Sequence, residues 1–209
     1  MSRVMVAVIS LFMAMVAHAD QKAITDTGEE VILNGDGTWV YANNPSRTEK
    51  AIGTNKKEFS KPDSSTFLLK SSKNNSAFWI DTNKWSFKKA ATNAEAEYEF
   101  QLKDNDLYGL VITEAIQIPI ESFSDLAFEN AKNVAPDIAV VNKEYRYVNG
   151  HKVIYMEMSG TMQGIKITYF GYYYSDESGS TQWMAFTGTS LAEKYMQEIS
   201  DFLNGLDVK

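Results

Sequence analysis

Between Tyr145 and Thr187 the chain reads YRYVNGHKVIYMEMSGTMQGIKITYFGYYYSDESGSTQWMAFT, four apolar or aromatic runs cut by three turn signals. The first signal, Asn149-Gly150, is the strongest of its kind, because both residues tolerate the positive φ that a two-residue type I′ hairpin demands. Met162-Gln163-Gly164 and Ser175–Ser180 supply the other two breaks. The runs between them hold ten aromatic side chains, together with Ile and Val, residues that fit a pleated, half-buried surface. The stretch predicts a four-stranded antiparallel meander, and any fold for this chain must be built around it.

The N-terminus constrains the address. Arg3 gives a short basic start, Val4–Val16 is apolar apart from Ser10, and Ala17-His18-Ala19 matches a small-x-small cleavage pattern. Residues 1–19 therefore read as a secretory signal peptide. The alternative, an uncleaved anchor, falls short of the ~20 residues that span a bilayer. The chain has no cysteine, so disulfides and lipidation at a cleavage-site Cys are excluded. The expected address is periplasmic or secreted. Without Arg3 the mature chain has 19 basic and 27 acidic side chains, a net of −8. That charge argues against nucleic acid and against anionic membrane surfaces as partners. No membrane insertion is expected once the signal is removed.

Residues 20–41 predict a small β-module: strand-like pieces at Lys22–Thr25, Glu30–Leu33 and Trp39–Tyr41, separated by Asp26-Thr27-Gly28 and Asn34-Gly35-Asp36-Gly37. Strands this short are marginal alone. Asn34–Gly37 fails as a calcium loop, because alignment on Gly37 puts Ile32 and Asn43 where acidic ligands belong. A hairpin turn is the expectation there. The pattern resembles a module of the D-G-T-W type that follows signal peptides in exported bacterial proteins. Residues 42–65 are polar and basic and read as a linker. A first strand of the main domain, residues 66–209, is expected at Thr66–Lys70.

In that main domain Ala94–Leu102 alternates, with Ala96, Tyr98, Phe100 and Leu102 on one face and Glu95, Glu97 and Glu99 on the other. Leu107–Ile120 reads as one long apolar strand. Helices are predicted from Ser122 to Pro136 and from Ser190 into the Leu206 region, the second opened by a Ser190-x-x-Glu193 capping box and closed by Gly205. Ile165–Tyr174 is apolar on both faces, as a central strand covered on both sides would be. The expected fold is α+β: an antiparallel sheet with one helix packed on each face.

The long strand, the helix, the hairpin V-N-G-x-x-V at Val148–Val153 and the terminal F-L-N-G-L at Phe202–Leu206 together resemble the PsbP-like family over about residues 66–206. That family includes the extrinsic photosystem II subunit and a nuclear-import factor that binds the GTPase Ran. The resemblance implies a protein-binding or assembly role, and it carries no member's binding residues over to this chain.

The chemistry available for catalysis is thin. One histidine, His151, remains after signal removal, and with no cysteine beside it a zinc or copper site lacks its usual ligands. No G-x-S-x-G elbow accompanies a serine nucleophile. No cofactor is expected. Glu95, Glu97 and Glu99 form a row that could bind a hard cation or simply face water. Glu114 sits in the stripe Leu110, Ile112, Glu114, Ile116, Ile118, Ile120, where a regular strand would place a carboxylate among aliphatic groups; a β-bulge would turn it to solvent instead. Tyr173 and Trp183, on neighbouring strands, either belong to the core or form an exposed aromatic platform. The candidate ligand- or partner-binding residues are therefore Glu114, Tyr173 and Trp183. The expected function is that of an exported, non-catalytic binding or accessory protein with a protein or small-molecule partner in the cell envelope. The alternative is a small hydrolase or isomerase using Glu114 as acid or base.

Overall fold

The computed structural model describes residues 21–24, 30–33, 38–41, 52–91 and 93–209. The expected signal peptide, the Asn34–Gly37 turn and linker residues 42–51 lie outside the described residues. The chain divides into two compact units, Met1–Lys50 and Ala51–Lys209.

In the first unit β1 (Gln21–Ile24), β2 (Glu30–Leu33) and β3 (Trp39–Tyr41) form an antiparallel sheet in that order. Val31 is its buried residue, whereas Trp39, Val40 and Tyr41 are exposed, with the Trp39 and Tyr41 rings edge-to-face at 5.1 Å.

The second unit contains β4 (Gly53–Phe59), β5 (Phe67–Lys70), β6 (Ser76–Ile80), β7 (Trp85–Lys89), β8 (Ala96–Leu102), β9 (Leu107–Glu114), α1 (Ile120–Val134), β10 (Ala139–Val148), β11 (His151–Met162), β12 (Ile165–Asp176), β13 (Gly179–Gly188), α2 (Met196–Leu203) and β14 (Leu206–Val208). The main sheet has eight strands in the order β4-β10-β11-β12-β13-β9-β8-β7, and a second sheet runs β14-β6-β5. The predicted meander is β10 to β13, four consecutive antiparallel neighbours. Its first two turns have both residues at positive φ: Asn149 49° and Gly150 85°, Gln163 52° and Gly164 82°. These are the conformations that Asn and Gly tolerate at low cost. β12, apolar on both faces, lies inside the sheet with Phe170–Tyr173 buried.

Alternation along β12 separates two cores. Phe170 and Tyr172 belong to a large cluster with Phe78, Trp183, Phe202 and Leu206. Tyr173 belongs to a smaller one with Phe123, Ala127, Ile154 and Met156. The smaller core lies beneath α1, which packs on β11 and β12. The larger is covered by α2 together with the β14-β6-β5 sheet. The α+β class holds, and the arrangement of one helix per face holds only in part, because a second sheet shares one face with α2.

Four expectations are corrected by the structure. Residues 53–59, expected as linker, form β4, which pairs in parallel with β10. Buried Phe59 and the Arg146 guanidinium, 4.7 Å over the Phe59 ring, hold that strand in place. Leu107–Ile120 is two elements, because Pro119 has no N–H for a sheet ladder and stands directly before the helix. The Ser190 capping box is replaced by two 3-10 turns, Thr189–Leu191 and Glu193–Tyr195, and α2 begins only at Met196 without a side-chain cap. Gly205 is not a left-handed cap; its role is close approach, for a Cβ there would collide with the Trp79 carbonyl oxygen.

Candidate binding face

The cross-strand register of the main sheet brings together side chains that are far apart in sequence. On the α1 side Tyr169, Phe186 and Tyr108 are direct partners across β12, β13 and β9. Their rings form a continuous ladder: Tyr169 to Phe186 at 5.5 Å and Phe186 to Tyr108 at 5.7 Å. The next row holds Met184 opposite Leu110, and the one after it Gln182 opposite Ile112. All of these side chains keep a minority of their surface in water, while Leu107, Val111, Trp183 and Ala185 on the reverse of the same strands are buried. The asymmetry follows from period-2 alternation with only one side covered. α1 protects β11 and β12, and the apolar surface of β13 and β9 continues beyond it.

Polar groups frame this surface. Tyr108 donates its hydroxyl to Asp106 at 3.4 Å; burial first, and then Asp106, raise its pKa. Glu99 lies opposite Leu110 and pairs with Lys88 at 3.4 Å. Glu114 is the last residue of β9 and pairs with Lys73 at 3.4 Å, its side chain 48% exposed.

The residues singled out in the sequence take different positions. Glu114 does not enter an aliphatic pocket, because the strand ends there and the three isoleucines after it belong to a loop and to α1. Tyr173 and Trp183 are fully buried and point to opposite faces, so they form no platform. Trp183 stacks on Phe202 at 4.0 Å and on Phe78 at 4.6 Å, and its indole N–H donates to the Phe202 carbonyl at 3.0 Å. Tyr173 meets Phe123 edge-to-face at 6.0 Å, and burial raises its pKa. The structure brings none of the three together. The face residues Tyr108, Phe186 and Tyr169 were missed by sequence reasoning; the signal that finds them is the phase of β13, in which Trp183 and Ala185 alternate with Met184 and Phe186.

The glutamate row is also broken. A bulge between Ala96 and Tyr98 turns Glu97 inward, where it accepts bonds from Thr113 Oγ1 at 2.6 Å, Ser72 N at 2.7 Å and Ser71 Oγ at 2.9 Å. Burial raises the Glu97 pKa, but these donors outweigh it and the net shift is downward. Glu97 thereby ties the loop before β6 to the main sheet. His151 lies 3.5 Å from Asp207, which also accepts from Lys209 at 2.7 Å and from the Trp79 indole at 3.0 Å. Arg146 sits 3.5 Å over Tyr155 and donates to Glu144 at 2.6 Å. Each cluster joins one element to another. Among the described residues no group of three or more His, Cys, Asp or Glu is placed to hold a metal ion.

No family model matches the chain, and no curated protein matches it. Among solved structures the chain is similar to cyanobacterial PsbP (CyanoP) from Synechocystis sp. PCC 6803, with a TM-score of 0.52, 13% identity, and coverage of 71% of this chain and 95% of that one. More distant likenesses are PA94 from Pseudomonas aeruginosa, a protein of unknown function (TM-score 0.46, 11% identity, 68% and 96% covered), and LpqN, involved in cell envelope biogenesis of Mycobacterium tuberculosis (0.38, 9%, 72% and 82%). At these identities the likeness to CyanoP speaks for architecture alone, and over the 71% of the chain that it covers the fold is PsbP-like.

Proposed function

We propose that this chain is an exported accessory protein of the cell envelope, which acts by holding a partner and not by catalysis. The observation that carries this reading is the open half of the main sheet, where Tyr169, Phe186, Tyr108, Met184, Leu110 and Ile112 make one continuous apolar surface beside α1. Aromatic residues and Met are the types enriched at the cores of protein interfaces. Export rests on the signal-peptide pattern of residues 1–19. Among the described residues no helix is long and apolar enough to cross a membrane. The proposed organisation is the signal, a D-G-T-W-type module over 20–41, a connector, and the PsbP-like body.

The test is affinity capture from the cell-envelope fraction with the mature chain and with its Phe186→Ser variant, after matching their thermal melts. A stoichiometric protein retained by the mature chain and lost with the variant supports the reading. Equal recovery by both, or turnover of a defined compound by the purified chain, overturns it.

A further inference from the structure

Methionine supplies all the sulfur in this chain, which has no cysteine; past residue 19 it carries Met156, Met158, Met162, Met184 and Met196. Met156 and Met158 are buried beneath α1, whereas Met196 is 44% exposed. Met184 stands between these extremes, partly exposed on β13 and directly opposite Gly171 of β12. Gly171 gives that row its shape. A Cβ there would come 3.0 Å from the Tyr173 ring and 3.2 Å from Met184 Cγ. The missing side chain is what lets the ring lean across to the methionine. Tyr173 is fully buried, and among the described residues its hydroxyl has one acceptor, the Met184 Sδ at 3.7 Å. A thioether accepts weakly, and a poorly satisfied buried hydroxyl is costly. Burial also raises the Tyr173 pKa, which keeps the hydroxyl a donor. The Tyr169 hydroxyl makes a similar contact with Met162 Sδ at 3.6 Å, but Tyr169 is not fully buried.

We propose that Met184 is a site of oxidation by peroxides, and that the Tyr173 hydroxyl is a donor already in place for the sulfoxide that forms. The sulfur attacks one peroxide oxygen, an S–O bond forms as the O–O bond breaks, and the leaving hydroxide takes the remaining proton as water. Sulfur is oxidised by two electrons and the peroxide is reduced by two. The flexible methionine torsions turn the new oxygen toward Tyr173. There it shortens the 3.7 Å gap into the range of an O–H···O bond and replaces a weak acceptor with a strong one. A sulfoxide ordinarily disrupts the packing around it. At Met184 the fold absorbs it, because the polar group acquires a partner and the apolar surface beside it keeps its shape. The inference rests on the Gly171, Tyr173 and Met184 geometry and is independent of the accessory-protein reading.

The experiment treats the folded mature chain with hydrogen peroxide in a Met162→Leu, Met196→Leu background, which leaves Met184 as the partly exposed methionine. Peptide mass spectrometry should find Met184 oxidised at least tenfold faster than Met156 and Met158. The Met184 sulfoxide form should melt within ~2 °C of its reduced parent. Tyr173→Phe, which keeps the ring and loses only a thioether contact, should melt close to the parent before oxidation. After oxidation its melt should fall by ~3 °C or more beyond the parent's own change, the size of one missing hydrogen bond. Oxygen-18 peroxide marks the new group for infrared spectroscopy. The S–O stretch should lie lower in the parent, where it is hydrogen-bonded, than in Tyr173→Phe. Oxidation of Met184 no faster than that of Met156 and Met158 overturns the proposal. So does an equal loss of melting temperature in the two chains, or an S–O stretch at the same position in both.

Discussion

Trp183 and Phe186 stand on the same strand and face opposite ways, so truncating each in turn measures the difference between a core and a docking face. Trp183→Ala removes a fully buried indole stacked between Phe202 and Phe78. A buried Trp→Ala change costs ~3–5 kcal/mol through lost transfer energy and the cavity left behind. The Phe202 carbonyl loses the indole donor but keeps the Gly205 N–H at 3.1 Å, so the cost is set by the lost packing and stays within that range. Phe186 keeps part of its area in water. Burying a whole Phe is worth ~1.5–3 kcal/mol, and Phe186 is mostly but not wholly buried, so its share is ~1–2 kcal/mol. With its ring contacts to Tyr108 and Tyr169, Phe186→Ala should cost ~2 kcal/mol. In urea, with a slope of ~2 kcal/mol/M, the midpoint should drop by ~2 M for Trp183→Ala and by ~1 M or less for Phe186→Ala. Far-UV circular dichroism, which does not rely on the deleted fluorophore, reads both. Equal shifts, or a larger one for Phe186→Ala, would show that the ladder is core and would remove the basis for a binding face there.

Glu97→Gln should cost ~1–3 kcal/mol, because a charged acceptor serving three donors becomes a neutral one, and hydrogen exchange should rise at Ser71–Asn75. The Glu97 and Asp207 pKa values are lowered in the folded chain. Their contribution is therefore complete above the unfolded carboxylate range, about pH 4, and is lost as pH falls through the folded values. Glu97→Gln should accordingly flatten the stability profile below that range; an unchanged profile would contradict the bonding described. Gly205→Ala, which at an unstrained site would stabilise slightly, should instead lower stability by ~2 kcal/mol or more, since the added Cβ meets a backbone oxygen of β6 that cannot move aside; a thermal melt checks the sign. Glu114→Gln removes only an exposed ion pair and should leave stability within ~0.5 kcal/mol. A larger loss in a urea titration would restore the buried-carboxylate idea.

Local chemistry determined a good deal. Asn149-Gly150 and Gln163-Gly164 place the first two meander turns because φ is a property of the residues at the turn, readable without knowing what packs above it. Apolarity on both faces of Ile165–Tyr174 marks a covered inner strand for the same reason, since each side chain's preference for burial travels with it. The tertiary structure alone decided where the pieces meet. β4 becomes a strand because Phe59 and Arg146 find each other across a long stretch of chain, and nothing polar in Gly53–Phe59 announces that. Trp183 and Phe186 look alike in composition and differ only in which side of β13 is covered, which depends on α2 and the β14-β6-β5 sheet arriving on one side while α1 stops at β12. Glu97 left its expected row because one extra residue in β8 reversed its direction. Alternation says that two faces exist; only packing says which of them is left open.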